Sequence, residues 1–261
     1  MKTKGEFDLK KFLDEESAFY NNPGFIENDP VSIPHLFSKK EDVEISGFLA
    51  ATIAWGQRPV ILKNAAKLMQ WMDYSPHQFV LQHTPKDTKQ FEKFVHRTFN
   101  GNDCMYFLSA LRHIYKKHGG MENIFSDKFT GVSDPAKAIS HFRKIFFELK
   151  HESRSEKHVA DPQANSSAKR ICMFLRWMVR KDSCGVDFGI WKKIKPSQLA
   201  CPLDLHSARI ARAFGLLSRT QNDWKAVMEL TNRLKEFDPM DPARYDFALF
   251  GIGVNEKKPS M

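Results

Sequence analysis

The sequence predicts an all-α fold, and three observations carry that expectation. Apolar residues recur at three- and four-residue steps through most of the chain. Strand-like alternation bounded by turns is hard to find, and Ser, Asp or Pro stands where several periodic stretches begin. With 261 residues, 42% of them hydrophobic, the chain can bury a sizeable core as one large domain or two small ones.

In chain order, a first helix is expected around Phe7–Tyr20, ending near "NNPG" and followed by the loop "ENDPVSIPH". A helix starting near Lys40 puts Ile45, Phe48, Leu49 and Ile53 close to one face. In "RPVILKNAAKLMQWMD" Pro59 suits the first helical turn, and Ile61, Ala65, Leu68, Met69 and Met72 form a stripe. Helical sequence resumes over Lys86–His96, Asp103–His118 and Pro135–Leu149. The stretch "KHESRSEKHVADPQANSS" is rich in charge and turn formers and reads as a loop or hairpin. Ala168, Ile171, Cys172, Leu175, Met178 and Val179 then mark an amphipathic helix with Ser166 or Ser167 as its expected N-cap and Lys169 in its first turn. Three more helices are expected in "CPLDLHSARIARAFGLL", "NDWKAVMELTNRLKEF" and "DPARYDFALFGIGV", the last with Asp241 as cap and Pro242 as first residue.

Forty Lys and Arg against 31 Asp and Glu give a net charge of +9, which favours a polyanionic partner such as nucleic acid or an acidic membrane surface. The longest apolar run, "GFLAATIAW", is about half the ~20 residues of a membrane span. No transmembrane segment is expected. The charged start "MKTKGEFDLKKFLDEESAFY" lacks the apolar core of a secretory signal, so a cytoplasmic location is expected. Cys104, Cys172, Cys184 and Cys201 are too few and scattered for a disulfide framework and are expected to be reduced and mostly buried. They make no C-x-x-C pair, and the histidines make no H-E-x-x-H, so neither a metal site nor an iron–sulfur cluster is expected.

The candidate chemistry centres on two residues. Asp204 precedes helical sequence, where a carboxylate caps backbone N–H groups and meets the positive end of the helix dipole. Lys169 reads either as a solvated first-turn residue or as an amine whose neutral, nucleophilic form is favoured by the positive potential of a helix N-terminus. An amine nucleophile beside a carboxylate can attack an electrophilic carbon while the carboxylate stabilises cationic charge or moves the proton.

"CPLDLHSARIARAFGLL" resembles the segment of the helix-hairpin-helix DNA glycosylase superfamily that carries the catalytic aspartate, as in endonuclease III and the 8-oxoguanine glycosylases. "ANSSAKRICMFLRWMVR" resembles the end of the superfamily's hairpin and the helix whose first turn holds the lysine nucleophile. "GFLAATIAWGQRPVILKNAAKLM" resembles an early helix-turn-helix with a glutamine at the turn, here Gln57, and "YDFALFGIGV" fits a closing helix that ends at a glycine. The separation of Lys169 from Asp204 is longer than in endonuclease III and closer to that of the archaeal 8-oxoguanine glycosylases. Asn165-Ser166-Ser167 stands in place of the usual Gly-x-Gly, and the cluster cysteines of endonuclease III are absent. Across its length the chain also resembles a bacterial family of unknown function.

The superfamily resemblance implies two helical subdomains flanking a cleft: residues 1–40 with 181–261, carrying Asp204, and residues 41–180, ending in the hairpin and the Lys169 helix. It implies a DNA glycosylase with AP-lyase activity that excises a damaged base, an oxidised purine among the candidates, through a lysine Schiff base and without cofactor. Lys169 and Asp204 would be catalytic. Gln57, Asn165, Ser166, Ser167, His206 and Arg209 would contact double-stranded DNA. Trp55 and Trp177 are the aromatic candidates for stacking on a flipped base. The alternative is a non-catalytic DNA- or RNA-binding protein on the same scaffold. A helical protein–protein adaptor leaves the basicity and the Lys169/Asp204 pairing unexplained.

Overall fold

The computed structural model describes residues 7–129 and 134–255, and the chain there is mostly helical. Asp8 opens α1 (Leu9–Tyr20) by accepting the Lys11 N–H at 3.0 Å. Three proline-led 3₁₀ turns then lead into α2 (Lys40–Thr52), followed by α3 (Arg58–Trp71), α4 (Pro76–Gln82) and the single turn α5 (Pro85–Thr88). The apolar stripe of α3 is buried from Ile61 through Met72, as its spacing predicts.

The helix expected over Lys86–His96 does not form. After α5 the chain makes a 3₁₀ turn (Phe91–Lys93), then a hairpin of β1 (Val95–His96) and β2 (Phe99–Asn100). Phe91, Phe94 and Phe99 are all fully buried, and Arg97 takes a left-handed φ of 54° to close the turn.

Helices α6 (Gly101–Lys117), α7 (Met121–Ser126) and α8 (Pro135–Phe146) follow, α6 with a reciprocal cap between Asn100 and Asp103. The polar stretch from His151 to Ser167 holds two 3₁₀ turns and no α-helix. Next come α9 (Lys169–Val179), α10 (Leu205–Ala213), α11 (Trp224–Phe237) and α12 (Asp246–Asn255).

Every residue of α2 from Val43 to Thr52 and of α9 from Ile171 to Val179 is buried, and these two helices pack against each other at the centre. The buried charges Glu44, Arg176 and Arg180 all have partners. Arg176 and Arg180 face Asp246 (2.6 Å), Asp187 (3.4 and 3.2 Å), Asp182 (2.7 Å) and Asp241 (2.8 Å), and Glu44 accepts from Tyr115 Oη and Trp191 Nε1. This explains why Asp241 does not cap. Its carboxylate goes to the buried Arg180 guanidinium, residues Pro242–Tyr245 form a 3₁₀ turn, and α12 begins only at Asp246.

The closing helix does not end at its glycines. Gly251 and Gly253 lie inside α12, where a Cβ would sit 2.3 Å from the Tyr20 ring and 3.0 Å from the His206 backbone, so they allow α1 and α10 to approach. Helix α10 does end at a glycine. Gly215 (φ 70°) follows its last turn, and Leu216 N–H donates to Ala211 O at 2.8 Å.

Candidate active site

Lys169 is the first residue of α9, as expected, but neither serine caps that helix. Ala168 occupies the cap position in the left-handed region (φ 46°) with no side-chain cap bond. Ser166 Oγ instead accepts the Ala168 N–H at 3.3 Å, which closes the turn before the helix. The first-turn amides of α9 are thereby left without a side-chain acceptor.

Asp204 caps α10 and faces Lys169 at once. Oδ1 accepts the N–H groups of His206 and Ser207, both at 2.9 Å, and Oδ2 lies 3.6 Å from Lys169 Nζ. The two side chains keep 25% and 22% of their surface in solvent, enough for a ligand to reach both. Lys169 Nζ also lies 3.5 Å from Met173 Sδ and 5.8 Å from the centroid of the Phe250 ring.

The pair lines a cleft of about 400 Å³ with Asp29, Trp55, Arg58, His206 and Phe250. Trp55, Lys169, Asp204 and His206 also line a second hollow, which Ser167, Arg170 and Asn222 bound further. Gly56, at φ 110°, turns the chain between α2 and α3 and sets Trp55 and Arg58 on the cleft wall. Arg97 stacks 4.9 Å from the Trp55 ring and Arg58 lies 5.2 Å from that of Phe250, so both aromatic groups carry a guanidinium partner.

Two further carboxyls feel the charge of the lysine. Burial pushes Asp29 above the usual carboxylate range, opposed by its bond from the Val31 N–H and by the charges of Lys169, Arg176 and Arg58. Burial pushes Asp246 up to about 6, against the pull of Arg176 and Lys169.

The other expected contacts divide. His206 borders the cleft, with Nδ1 3.1 Å from Gly253 O, and Arg209 donates to that same carbonyl at 3.1 Å. Gln57 is exposed at the start of α3, between two cleft residues, and makes no cap bond. Asn165 adopts the left-handed φ of 63° but gives its side-chain amide to Asp223 at 3.1 Å, while the Ser166 backbone pairs with that of Asp223. Of Asn165, Ser166 and Ser167 only Ser167 borders the hollow. Trp55 lines the cleft and Trp177 is core. Asp29, Arg58, Arg170 and Phe250 were not expected from sequence. Asp29-Pro30 reads as an ordinary turn, and only the fold brings it and Phe250 to Lys169.

A family model covers residues 29–255, which include every residue of this site. The chain belongs to the family described as "Protein of unknown function (DUF2400)". No match was found among curated proteins or among solved structures. Among the described residues no helix is long and apolar enough to cross a membrane.

Proposed function

We propose that this cleft is the active site of a DNA glycosylase with AP-lyase activity, as the helix-hairpin-helix resemblance suggests. The observation that carries the reading is the 3.6 Å approach of Lys169 Nζ to Asp204 Oδ2 on the wall of a solvent-open cleft. The division of the chain into two lobes around that cleft belongs to the same proposal.

In this reading a damaged nucleotide, an oxidised purine among the candidates, leaves the duplex and enters the cleft between the Trp55 and Phe250 rings. Lys169 reacts as the neutral amine: its lone pair bonds to the sugar C1′ as the C1′–N bond breaks, and Asp204, ionised until then, accepts the proton that the new secondary ammonium loses. The base leaves with that electron pair and takes up a proton. Opening of the C1′–O4′ bond then gives the Schiff base. Loss of a C2′ proton expels the 3′-phosphate by β-elimination, and water hydrolyses the imine to restore the amine. Asp204 also stabilises the cationic sugar, being held in place by two backbone N–H groups. Ser167 and the uncapped amides at the start of α9 suit a DNA phosphate. Asn165, at the first position of the resembled glycine hairpin, supplies the left-handed backbone that glycine would.

The test is borohydride trapping on duplexes holding an abasic site or 8-oxoguanine. Wild type is expected to give a covalent complex that Lys169→Ala lacks. Salt-sensitive DNA binding without trapping on either duplex would instead support the non-catalytic binding reading.

A further inference from the structure

Away from the cleft, the C-terminal end of α6 meets the segment that follows α8. His113, His118 and Glu148 converge there, with one potential ligand atom from each within 4.8 Å of the others. His113 Nε2 lies 2.9 Å and His118 Nε2 3.4 Å from the same oxygen, Glu148 Oε2. Ligands about 2.0–2.1 Å from a tetrahedral zinc ion stand roughly 3.3 Å apart, so a small adjustment around these atoms would accommodate the ion.

The helix end makes this possible. Residues five apart on a continuous helix point about 140° away from each other. Here α6 stops at Lys117, His118 adopts φ −117° and ψ 2°, and the two imidazole centroids come to 5.2 Å. Glu148 is delivered by an anchored segment. Tyr106 Oη on α6 donates to Phe146 O at 2.7 Å, and the Tyr106 ring stacks on Phe147 at 5.5 Å and 2°. The negative end of the α6 dipole favours a cation.

We infer that His113 Nε2, His118 Nε2 and Glu148 form a zinc site with three protein ligands and a solvent-filled fourth position. Two imidazoles and one carboxylate suit zinc over the hard, oxygen-seeking magnesium ion. Side-chain exposures of 22%, 28% and 41% leave the fourth position open to water or an exogenous ligand. The bound ion would clamp the end of α6 to the segment after α8.

Zinc titrated into the metal-free full-length protein against a chromogenic chelator is expected to bind at one equivalent and to raise Tm, whereas magnesium does neither. His113→Asn and Glu148→Gln, each checked for unchanged helicity, are expected to weaken zinc binding by ~10-fold or more, and the double variant His113→Asn/His118→Asn to abolish it. Absence of a stoichiometric zinc complex, equal binding of magnesium, or wild-type affinity in the double variant would overturn the assignment.

Discussion

Asp204 has two oxygens with separable tasks. Oδ1 accepts two N–H groups at the start of α10 and Oδ2 faces the Lys169 ammonium. An asparagine keeps an acceptor for the cap but carries no charge, whereas an alanine removes both. Asp204→Asn is therefore expected to change stability by less than about 0.5 kcal/mol, while Asp204→Ala costs about 1 kcal/mol. On the proposed chemistry both variants lose catalysis alike, by 10²-fold or more, because both lack the proton acceptor. Urea unfolding beside single-turnover base release would separate the tasks. Full activity in Asp204→Asn would leave the carboxylate with capping alone.

Helix α12 is placed by what it lacks. A Cβ on Gly251 would stand 2.3 Å from the Tyr20 ring, so Gly251→Ala must displace α1 or that ring, at an expected cost of about 1–3 kcal/mol. Tyr20→Ala removes the obstacle. Unfolding of the double variant should therefore show a penalty smaller than the sum of the single ones, whereas simple additivity would mean the ring is not the obstruction. This contact bears on the site because α12 also carries Phe250 over Lys169 and the Gly253 carbonyl that His206 and Arg209 share. Such close approaches are not written in local spacing, and "FGIGV" reads equally well as a helix end. Local pattern did disclose the stripe of α3, the first-turn position of Lys169 and the cap at Asp204, since each depends on neighbours within one or two turns. It misplaced residues 86–96, where the chain leaves the helix after Thr88 for a 3₁₀ turn and a hairpin closed by Arg97 at a left-handed φ. It also gave the α9 cap to a serine, where a left-handed Ala168 stands. The histidine–glutamate cluster escaped it because five-residue spacing meets on one side only where a helix stops.

The charge of the whole molecule is distributed unequally between core and surface. Its buried guanidinium groups, Arg176 and Arg180, are matched by aspartates, so the net +9 is expressed by groups nearer solvent, among them Arg58 in the cleft and Arg97 against the cleft's Trp55. A duplex held there by phosphate contacts must release the counterions of each phosphate that is neutralised. The logarithm of the binding constant should then fall linearly with the logarithm of salt concentration, by about 0.9 for each such phosphate. If Arg58 and Arg97 each neutralise one phosphate, Arg58→Ala and Arg97→Ala should each make that slope shallower by about 0.9, and the double variant by about twice as much. Because these contacts carry no base information, the loss should be similar for intact and damaged duplexes, leaving discrimination to the cleft itself. Fluorescence anisotropy over a salt series measures both quantities. A slope unchanged in both variants would move the DNA path away from Trp55 and Phe250, and with it the proposed entry of a flipped nucleotide between them.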